Sequence, residues 1–224
     1  MSQLNKTISI TVDKEHLEEV SGALLHAVLF QRTLGNLQPK EITVLDVVVA
    51  GIDSGMIEEM VVKKVRELSA TSGDRGVLAL VLSENQSRKV NHWFGFGEQH
   101  HTQQIPWECW ILQFNILTSK TENHRQIIYH NTQNDLNKAL NQIIQFTDTN
   151  KDHIPPITTA DLAPFPFHVL VNPMTSSYNR STSPHSMAVA AAGNAMTNTI
   201  QGNPSNSNGS SQNSYFTAIA RRMT

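Results

Sequence analysis

The alternation of polar and apolar residues near the N-terminus predicts a strand that leads into a helix. Residues 7–12 alternate polar with β-branched apolar side chains, which is the period of a half-buried strand. Asp13 follows where an N-cap belongs, and apolar residues then recur at helical spacing until Gly35. The pattern therefore predicts a helix over residues 13–33 with one apolar stripe: Leu17, Val20, Leu24, Leu25 and Val28.

The next segments predict two buried strands with a helix between them. Residues 42–50 form an apolar run broken only by Asp46, which is typical of a strand buried on both faces. Ser54 is then predicted to cap a helix over residues 54–70, with an apolar face. Residues 77–82 predict another short strand, and the polar stretch 83–104 that follows it is predicted to be a loop.

The last third of the ordered chain predicts a strand, a long helix and a final strand. Residues 108–118 alternate, and one face is apolar enough to belong to the core: Trp110, Leu112, Phe114 and Ile116. Residues 122–146 predict a helix whose stripe consists of four residues: Leu136, Leu140, Ile143 and Ile144. A strand is predicted over residues 165–172. This order predicts an α+β fold, with a mostly antiparallel sheet packed against about three helices.

The composition changes after Asn172. Residues 173–213 are mainly Ser, Asn, Thr and Ala, so no core could offset the entropy of ordering them, and we predict disorder. Residues 215–220 regain the character of a strand. We therefore predict one domain made of residues 1–172 plus 214–224, with residues 173–213 as a low-complexity insertion in a C-terminal hairpin.

Charge and apolar content exclude several classes of function. The formal net charge of -2 gives no long-range field that favours nucleic acid. No stretch approaches the roughly 20 apolar residues that span a bilayer. The single cysteine, Cys109, agrees with a reducing compartment, and we predict a cytoplasmic protein with no transmembrane segment.

The sequence contains one candidate catalytic residue, Asp53. Asp53, Ser54 and Gly55 follow an apolar run, as in the active-site loop of aspartic proteases, in which two carboxylates share a proton. The chain has one copy of this motif, so such a protease would have to be a homodimer. A helix cap at Ser54 explains the same residues, and we predict no catalytic site.

Metal ligation is also poorly supported. Five residues between positions 92 and 109 carry groups that ligate zinc, but their spacing matches no familiar site: His92, Glu98, His100, His101 and Cys109. Cys109 lies within a strand pattern and is predicted to be a small buried hydrophobic residue. We predict no metal and no cofactor.

The distribution of tryptophan gives the best functional clue, because all three tryptophans fall within residues 93–110. Trp93 and Phe94 lie in a polar stretch flanked by glycine, where a loop offers aromatic rings little to pack against. Exposed aromatic residues of this kind mark surfaces that a partner covers. Trp107 and Trp110, at the start of a strand, are instead predicted to pack in or beside the core.

These residues resemble the autophagy-related protein 101 family, whose members have a HORMA domain. The family has a Trp-Phe finger shortly before an Ile-Pro-Trp-Glu-x-Trp strand, which residues 105–110 match. Similar motifs occur at residues 124–127, 142–155, 165–172 and 220–223. The finger usually has one residue between Trp and Phe, whereas Trp93 and Phe94 are adjacent. Both Phe94 and Phe96 are therefore candidates, together with Trp93, for the partner-binding residues.

The resemblance implies a non-catalytic adaptor of the autophagy initiation complex. Such a protein would pair with the HORMA domain of autophagy-related protein 13 in the Unc-51-like kinase assembly. Its finger would recruit downstream factors to the phagophore assembly site and so promote autophagosome formation. Two alternatives remain: a checkpoint-type HORMA protein that clasps a peptide under its C-terminal segment, and an aspartic-protease-like homodimer that uses Asp53.

Overall fold

A computed structural model describes residues 3–90, 99–159, 161 and 163–173, with the backbone alone for residues 87–90 and 99–101. The strands and helices follow in this order: β1 Leu4–Asp13, a 3-10 turn Lys14–His16, α1 Leu17–Arg32, β2 Pro39–Val44, β3 Val47–Ile52, α2 Gly55–Thr71, β4 Arg75–Val90, β5 Gln99–Leu117, α3 Glu122–Thr149 and β6 Phe167–Val171. Of the predicted disordered segment, residues 173–213, only Pro173 is described; the rest of that segment and residues 214–224, which were predicted to return to the domain, lie outside the described residues.

The main sheet has the strand order β1-β5-β4-β6. β1 runs parallel to β5, while β4 is antiparallel to both β5 and β6. The helices α1, α2 and α3 contribute to one apolar core with one face of this sheet and with the β2–β3 hairpin. The predicted α+β fold with a mostly antiparallel sheet and three helices is confirmed, and it agrees with the HORMA type that the resemblance implies.

Helix α1 lies at the centre of the core. Asp13 caps the 3-10 turn that precedes it, because the Asp13 carboxylate accepts a hydrogen bond from the Glu15 amide at 3.2 Å. The helix contacts α2, α3, β2 and β3, and it is buried on more than the one predicted stripe. Gly22 leaves room for two side chains of α2, Val61 and Val65, beside the α1 backbone. This helix is therefore the element against which the others pack.

The prediction of one doubly buried strand over residues 42–50 is wrong. Leu45 and Asp46 have φ values of 50° and 60°, so the chain reverses there and β2 pairs with β3 as a hairpin. Only one face of this hairpin is buried; Val48, for example, is 60% exposed. Two residues with positive φ form the tight turn that suits antiparallel strands, although neither residue is a glycine.

The predicted helices are present, but the cap of α2 and the end and buried stripe of α3 differ from the prediction. Ser54 precedes α2, but its side chain makes no capping hydrogen bond, and its carbonyl instead accepts the Glu58 amide at 2.9 Å. Helix α3 continues to Thr149, and its Ile144 is exposed because Ile128, Leu136, Ala139 and Ile143 form the buried stripe. The late strand is confirmed as β6.

Strands β4 and β5 are much longer than predicted. The predicted strand 77–82 continues to Val90, and the predicted strand 108–118 begins at Gln99, so both extend into the polar stretch 83–104 that the sequence predicts to be a loop. Backbone pairing extends to Val90 opposite Gln99. The polar residues pair with one another across the two strands, which their local pattern does not indicate.

Candidate partner-binding site

The long β4–β5 hairpin extends beyond the sheet. β1 pairs with β5 only from Glu108 to Leu117, and β6 pairs with β4 only from Leu78 to Leu82. Among the described residues, no third strand pairs with residues 83–90 and 99–106, and we call this ribbon of two strands the arm. Roughly eight residues per strand, at about 3.3 Å per residue, give the arm a length of about 25 Å.

The arm has few apolar residues of its own. β4 is continuously apolar from Val77 to Leu82 and then becomes polar from Ser83 to Lys89. An isolated ribbon of two strands is only marginally stable in water because it has no hydrophobic face to bury. The arm must therefore be fixed where it leaves the sheet.

A β-bulge marks that point. Leu82 pairs with Glu108 and Ser83 pairs with Pro106, so Trp107 is an extra residue on β5. A bulge turns a side chain away from the strict alternation of a strand. Trp107 is buried and packs on Phe165, with ring centroids 5.2 Å apart, and on His153 at 5.4 Å. The prediction that Trp107 and Trp110 pack in the core is confirmed.

A buried ion pair lies beside the bulge. Glu108 is fully buried, and the Arg32 Nε, itself in a side chain only 2% exposed, lies 2.9 and 3.1 Å from its two carboxylate oxygens. Trp110 donates its indole N–H to the same carboxylate, and the His153 Nε2 lies 2.7 Å from it. Several partners thus compensate the loss of hydration around this carboxylate.

The same arginine reaches the end of the long helix. Its two terminal nitrogens donate to the carbonyls of Thr147 at 3.2 Å and Asn150 at 2.8 Å. A cation is favourable at this position because the last carbonyls of a helix carry partial negative charge. Arg32 therefore joins the ends of α1 and α3 to β5. We call the set of Arg32, Trp107, Glu108, Trp110 and His153 the root of the arm.

Two further contacts connect the residues of the arm nearest the sheet, which we call the base of the arm, to β6 and to Pro166 just before it. The Ser83 amide donates to the carbonyl of Pro166 at 2.9 Å. The His168 Nε2 lies 2.9 Å from the Gln104 side-chain oxygen. Burial lowers the pKa of His168 below its ordinary value, because the charged imidazolium loses hydration there. The base is thus fixed on both of its strands.

The predicted partner-binding residues Trp93, Phe94 and Phe96 lie outside the described residues. They belong to the segment 91–98, which connects the paired ends of the arm at Val90 and Gln99. The sequence predicts that this segment belongs to a loop that starts near Ser83. The structure moves the start of that connection to the far end of a ribbon.

The structure describes the side chains of two of the weaker chemical candidates, Asp53 and Cys109. Asp53 is exposed just before α2, and its backbone N–H donates to the Gln38 carbonyl at 2.8 Å. Cys109 is fully buried, and burial raises the pKa of its thiol to about 12. His92 and Glu98 lie outside the described residues, and His100 and His101 are described by their backbone alone. Among the side chains that the structure describes, no group of three or more metal-ligating residues occurs.

Sequence comparison then gives the family. Residues 9–161 match the sequence profile of the family described as autophagy-related protein 101. The chain belongs to this family. It is 27% identical to autophagy-related protein 101 of Schizosaccharomyces pombe over 177 residues. This aligned region covers 77% of this chain and 89% of the relative. It is 24% identical over 191 residues to the protein of that name from Arabidopsis thaliana, over 72% of this chain and 83% of the relative.

Family membership assigns the chain a role in autophagy. The names of the matched family and of both relatives specify no catalytic activity. Within residues 3–90, 99–159, 161 and 163–173, none of the helices is long and apolar enough to cross a bilayer.

Two features of the site were missed in the sequence. The first is the arm itself, and the second is the ion pair of its root. One signal of the ion pair was present: Glu108 occupies a position beside Trp110, in a strand whose alternate residues belong to the core. A carboxylate is almost never fully buried unless it is paired, so a glutamate there requires a cation. Its partner lies 76 positions away, which local spacing cannot identify.

Proposed function

We propose that this chain is a non-catalytic adaptor of the autophagy initiation complex. It would pair with the HORMA domain of autophagy-related protein 13 and thereby join the Unc-51-like kinase assembly. It would act in the cytoplasm and at the phagophore assembly site. The family supports the role in autophagy, and the α+β architecture supports pairing through a HORMA domain.

Within this proposal, the arm presents the aromatic segment to downstream factors. The single observation that carries it is the geometry of the hairpin: its strands stay paired for about 25 Å beyond the sheet, while its root is fixed in the core. A ribbon with polar strands has little to gain from folding back onto the domain. Trp93 and Phe94, with Phe96 as the second candidate phenylalanine, occupy the connection at its end. A partner that covers such aromatic residues can gain about 2 kcal/mol or more from each.

The test is the double variant Trp93→Ala with Phe94→Ala. Its melting temperature and its copurification with autophagy-related protein 13 should stay near those of the unmodified chain. The number of autophagosomes in cells that carry it should fall, because the downstream contact is lost. Gln86→Ala with Gln103→Ala is a matched control, since these two polar residues pair in the arm and should leave all three measurements unchanged.

The phenylalanine of the finger is identified by two single variants. Phe94→Ala and Phe96→Ala are compared in the same assays, and the variant with the larger loss of autophagosomes identifies the residue in the family role. Loss of folding or of the HORMA partner in the double variant would instead make these residues core or interface contacts. Normal autophagosome counts with Trp93, Phe94 and Phe96 all replaced would disprove a role for the finger.

The two alternative functions give different results in simple assays. A checkpoint-type protein would retain a peptide under its C-terminal segment, and the bound peptide would survive gel filtration. A protease that uses Asp53 would be a homodimer with peptidase activity, and Asp53→Asn would abolish that activity. We expect neither result, and we expect Asp53→Asn to leave folding intact, because the Asp53 side chain is exposed and the substitution keeps the backbone N–H that donates to Gln38.

A further inference from the structure

The main sheet has a second face, opposite the helices, that carries its own apolar cluster. Its members alternate with the core-facing residues of three strands: Val77, Ala79 and Val81 of β4, Cys109 and Ile111 of β5, and Leu170 of β6. Among the described residues, this cluster includes none from a helix. We call this surface the second face.

The second face is more deeply buried than a sheet surface in water would be. Ile111 and Val81 are each 1% exposed, and Cys109 is fully buried. Neighbouring strands can shield the sides of a branched side chain, but its outer end still requires a covering layer. The raised pKa of Cys109 and the lowered pKa of His168, which lies in the strand beside Val81, both follow from burial on this side.

The apolar part of this face lies toward one edge of the sheet. On β1, at the opposite edge, the exposed Ser9 donates a hydrogen bond to Gln113 of β5 at 3.1 Å. The buried cluster instead lies over β4 and its neighbours. β6 forms the edge on that side, and the chain leaves β6 through Asn172, whose φ is 44°, and Pro173. The part of the chain beyond Pro173 therefore starts next to the surface that needs cover.

We propose that residues 214–224 pack on the second face of the sheet as its covering layer. The chain beyond Pro173 is mainly Ser, Asn, Thr and Ala. Two aromatic residues are adjacent in it only at Tyr215 and Phe216, with Ile219 three positions further on, whereas the other apolar stretch, residues 187–200, is mostly alanine, methionine and polar residues. The intervening stretch of roughly 40 residues costs little to close, because loop entropy grows only with the logarithm of length. The proposal gives a position to residues 214–224, which the sequence predicts to be part of the domain, and it does not depend on the proposed function.

Cys109 provides a direct test because it is the only thiol of the chain and lies within the second face. A covered thiol reacts with a neutral maleimide only when the covering layer opens, so its labelling rate measures that opening. We compare the full-length chain with the triple variant Tyr215→Ala, Phe216→Ala, Ile219→Ala. The variant should label at least about tenfold faster while its far-ultraviolet circular dichroism stays unchanged.

A matched control replaces apolar residues elsewhere beyond Pro173. The variant Met187→Ala with Val189→Ala changes the other apolar stretch, residues 187–200, and should leave the labelling rate unchanged. Deletion of residues 176–213 should also preserve the protection of Cys109, because the covering segment remains. Faster labelling in the Met187 and Val189 variant, with no effect of the triple variant, would overturn the proposal in favour of the alanine-rich stretch.

A crosslinking experiment decides the question if the triple variant fails to fold. A cysteine is introduced into the otherwise unchanged full-length chain as Phe216→Cys, Thr217→Cys, Ala218→Cys or Ile219→Cys, and each variant is oxidised. At least one should form an intramolecular disulfide with Cys109, detected as a mobility shift without reductant, whereas Ala190→Cys should not. No disulfide from any of the four positions, or a disulfide from Ala190→Cys alone, would contradict the proposal.

Discussion

The arm and its root differ sharply in chemistry although they belong to the same two strands. In the root, a carboxylate with no exposed surface is held by an arginine, an indole and an imidazole. In the arm, polar residues of β4 pair with polar residues of β5, and no third strand among the described residues joins them. The transition occurs within a few residues, at the bulge between Leu82 and Ser83.

The residues that stabilise the fold are therefore different from the residues that extend beyond the sheet. Residues of the root bury charge and aromatic surface, so their loss leaves unpaired groups in the core. In the arm, residues 84–86 and 102–106 are half-buried or exposed, so we expect them to contribute little to the free energy of unfolding. A rigid root with a polar extension can hold a segment away from the domain without requiring that segment to stabilise the fold.

Replacement of Arg32 by alanine should give the largest effect on stability. It leaves Glu108 buried with an uncompensated charge and removes the donors to the end of α3, so we expect a loss of about 3 to 5 kcal/mol. Urea unfolding monitored by tryptophan fluorescence measures it. The matched control is Arg125→Ala, which removes exposed ion pairs with Glu15 and Glu122 and should cost at most about 1 kcal/mol. Equal losses of unfolding free energy in the two variants would mean that the buried ion pair of the root stabilises the fold no more than an exposed ion pair does.

The parts of the fold that depend on local sequence patterns could be predicted, whereas the parts that depend on contacts between distant residues could not. Strand β1, the three helices and β6 are visible in the sequence because alternation and helical spacing are local. The β2–β3 hairpin was missed because Leu45 and Asp46 adopt positive φ without glycine, and Asp46 within an apolar run was the one local signal. Asp46 accepts a hydrogen bond from Tyr129 of α3 at 2.8 Å, a contact that no local pattern indicates.

The arm and its root were harder to predict for the same reason. Residues 83–90 have no apolar alternation, and they form a strand only because residues 99–106 pair with them. The parallel pairing of β1 with β5 joins Leu4 to Glu108, across about half of the chain. The aromatic pair Trp93 and Phe94 can be recognised from the residue types alone. The length of the paired strands on either side of it cannot, because it depends on pairing between distant residues.

Acidification should lower the free energy of unfolding by less than the Arg32→Ala substitution does. Two histidines contribute to this loss: His26 in α1 and His168 beside the base of the arm. Burial lowers the pKa of His168, and burial together with Lys40 lowers the pKa of His26, although Glu58 acts against this shift. Below the ordinary histidine value of 6.5, the unfolded chain then binds more protons than the folded chain. The free energy of unfolding should therefore fall as the pH drops through 6.5, and it should stop falling for these groups below their folded pKa values.

The measurement is urea unfolding at several pH values between about 7.5 and 5. His168→Gln and His26→Gln should each show a smaller drop than the unmodified chain, because one group that titrates differently in the two states has been removed. If the free energy of unfolding drops in both variants by as much as in the unmodified chain, groups other than His168 and His26 cause the acid sensitivity.

Shortening the arm should have the smallest effect on stability. Deletion of Gln86, Ser87, Thr102 and Gln103 removes two neighbouring cross-strand pairs, and the residues on either side remain in register. The arm becomes shorter by about 7 Å, while the removal of an even number of residues keeps every remaining side chain on its face. We expect the free energy of unfolding to change by at most about 0.5 kcal/mol, because these positions are polar and lie outside the core.

The same deletion distinguishes the reach of the arm from the orientation of its faces. Deletion of Gln86 and Gln103 alone removes one pair, shortens the arm half as much, and turns every residue beyond it to the opposite face. If reach matters for the proposed finger, autophagosome counts should fall more with the deletion of two pairs; if orientation matters, the deletion of one pair should be worse. Because both variants keep the root, both should still copurify with autophagy-related protein 13. Full autophagosome counts in both variants would show that the finger acts without the support of the arm, and the contrast between arm and root would then concern stability alone.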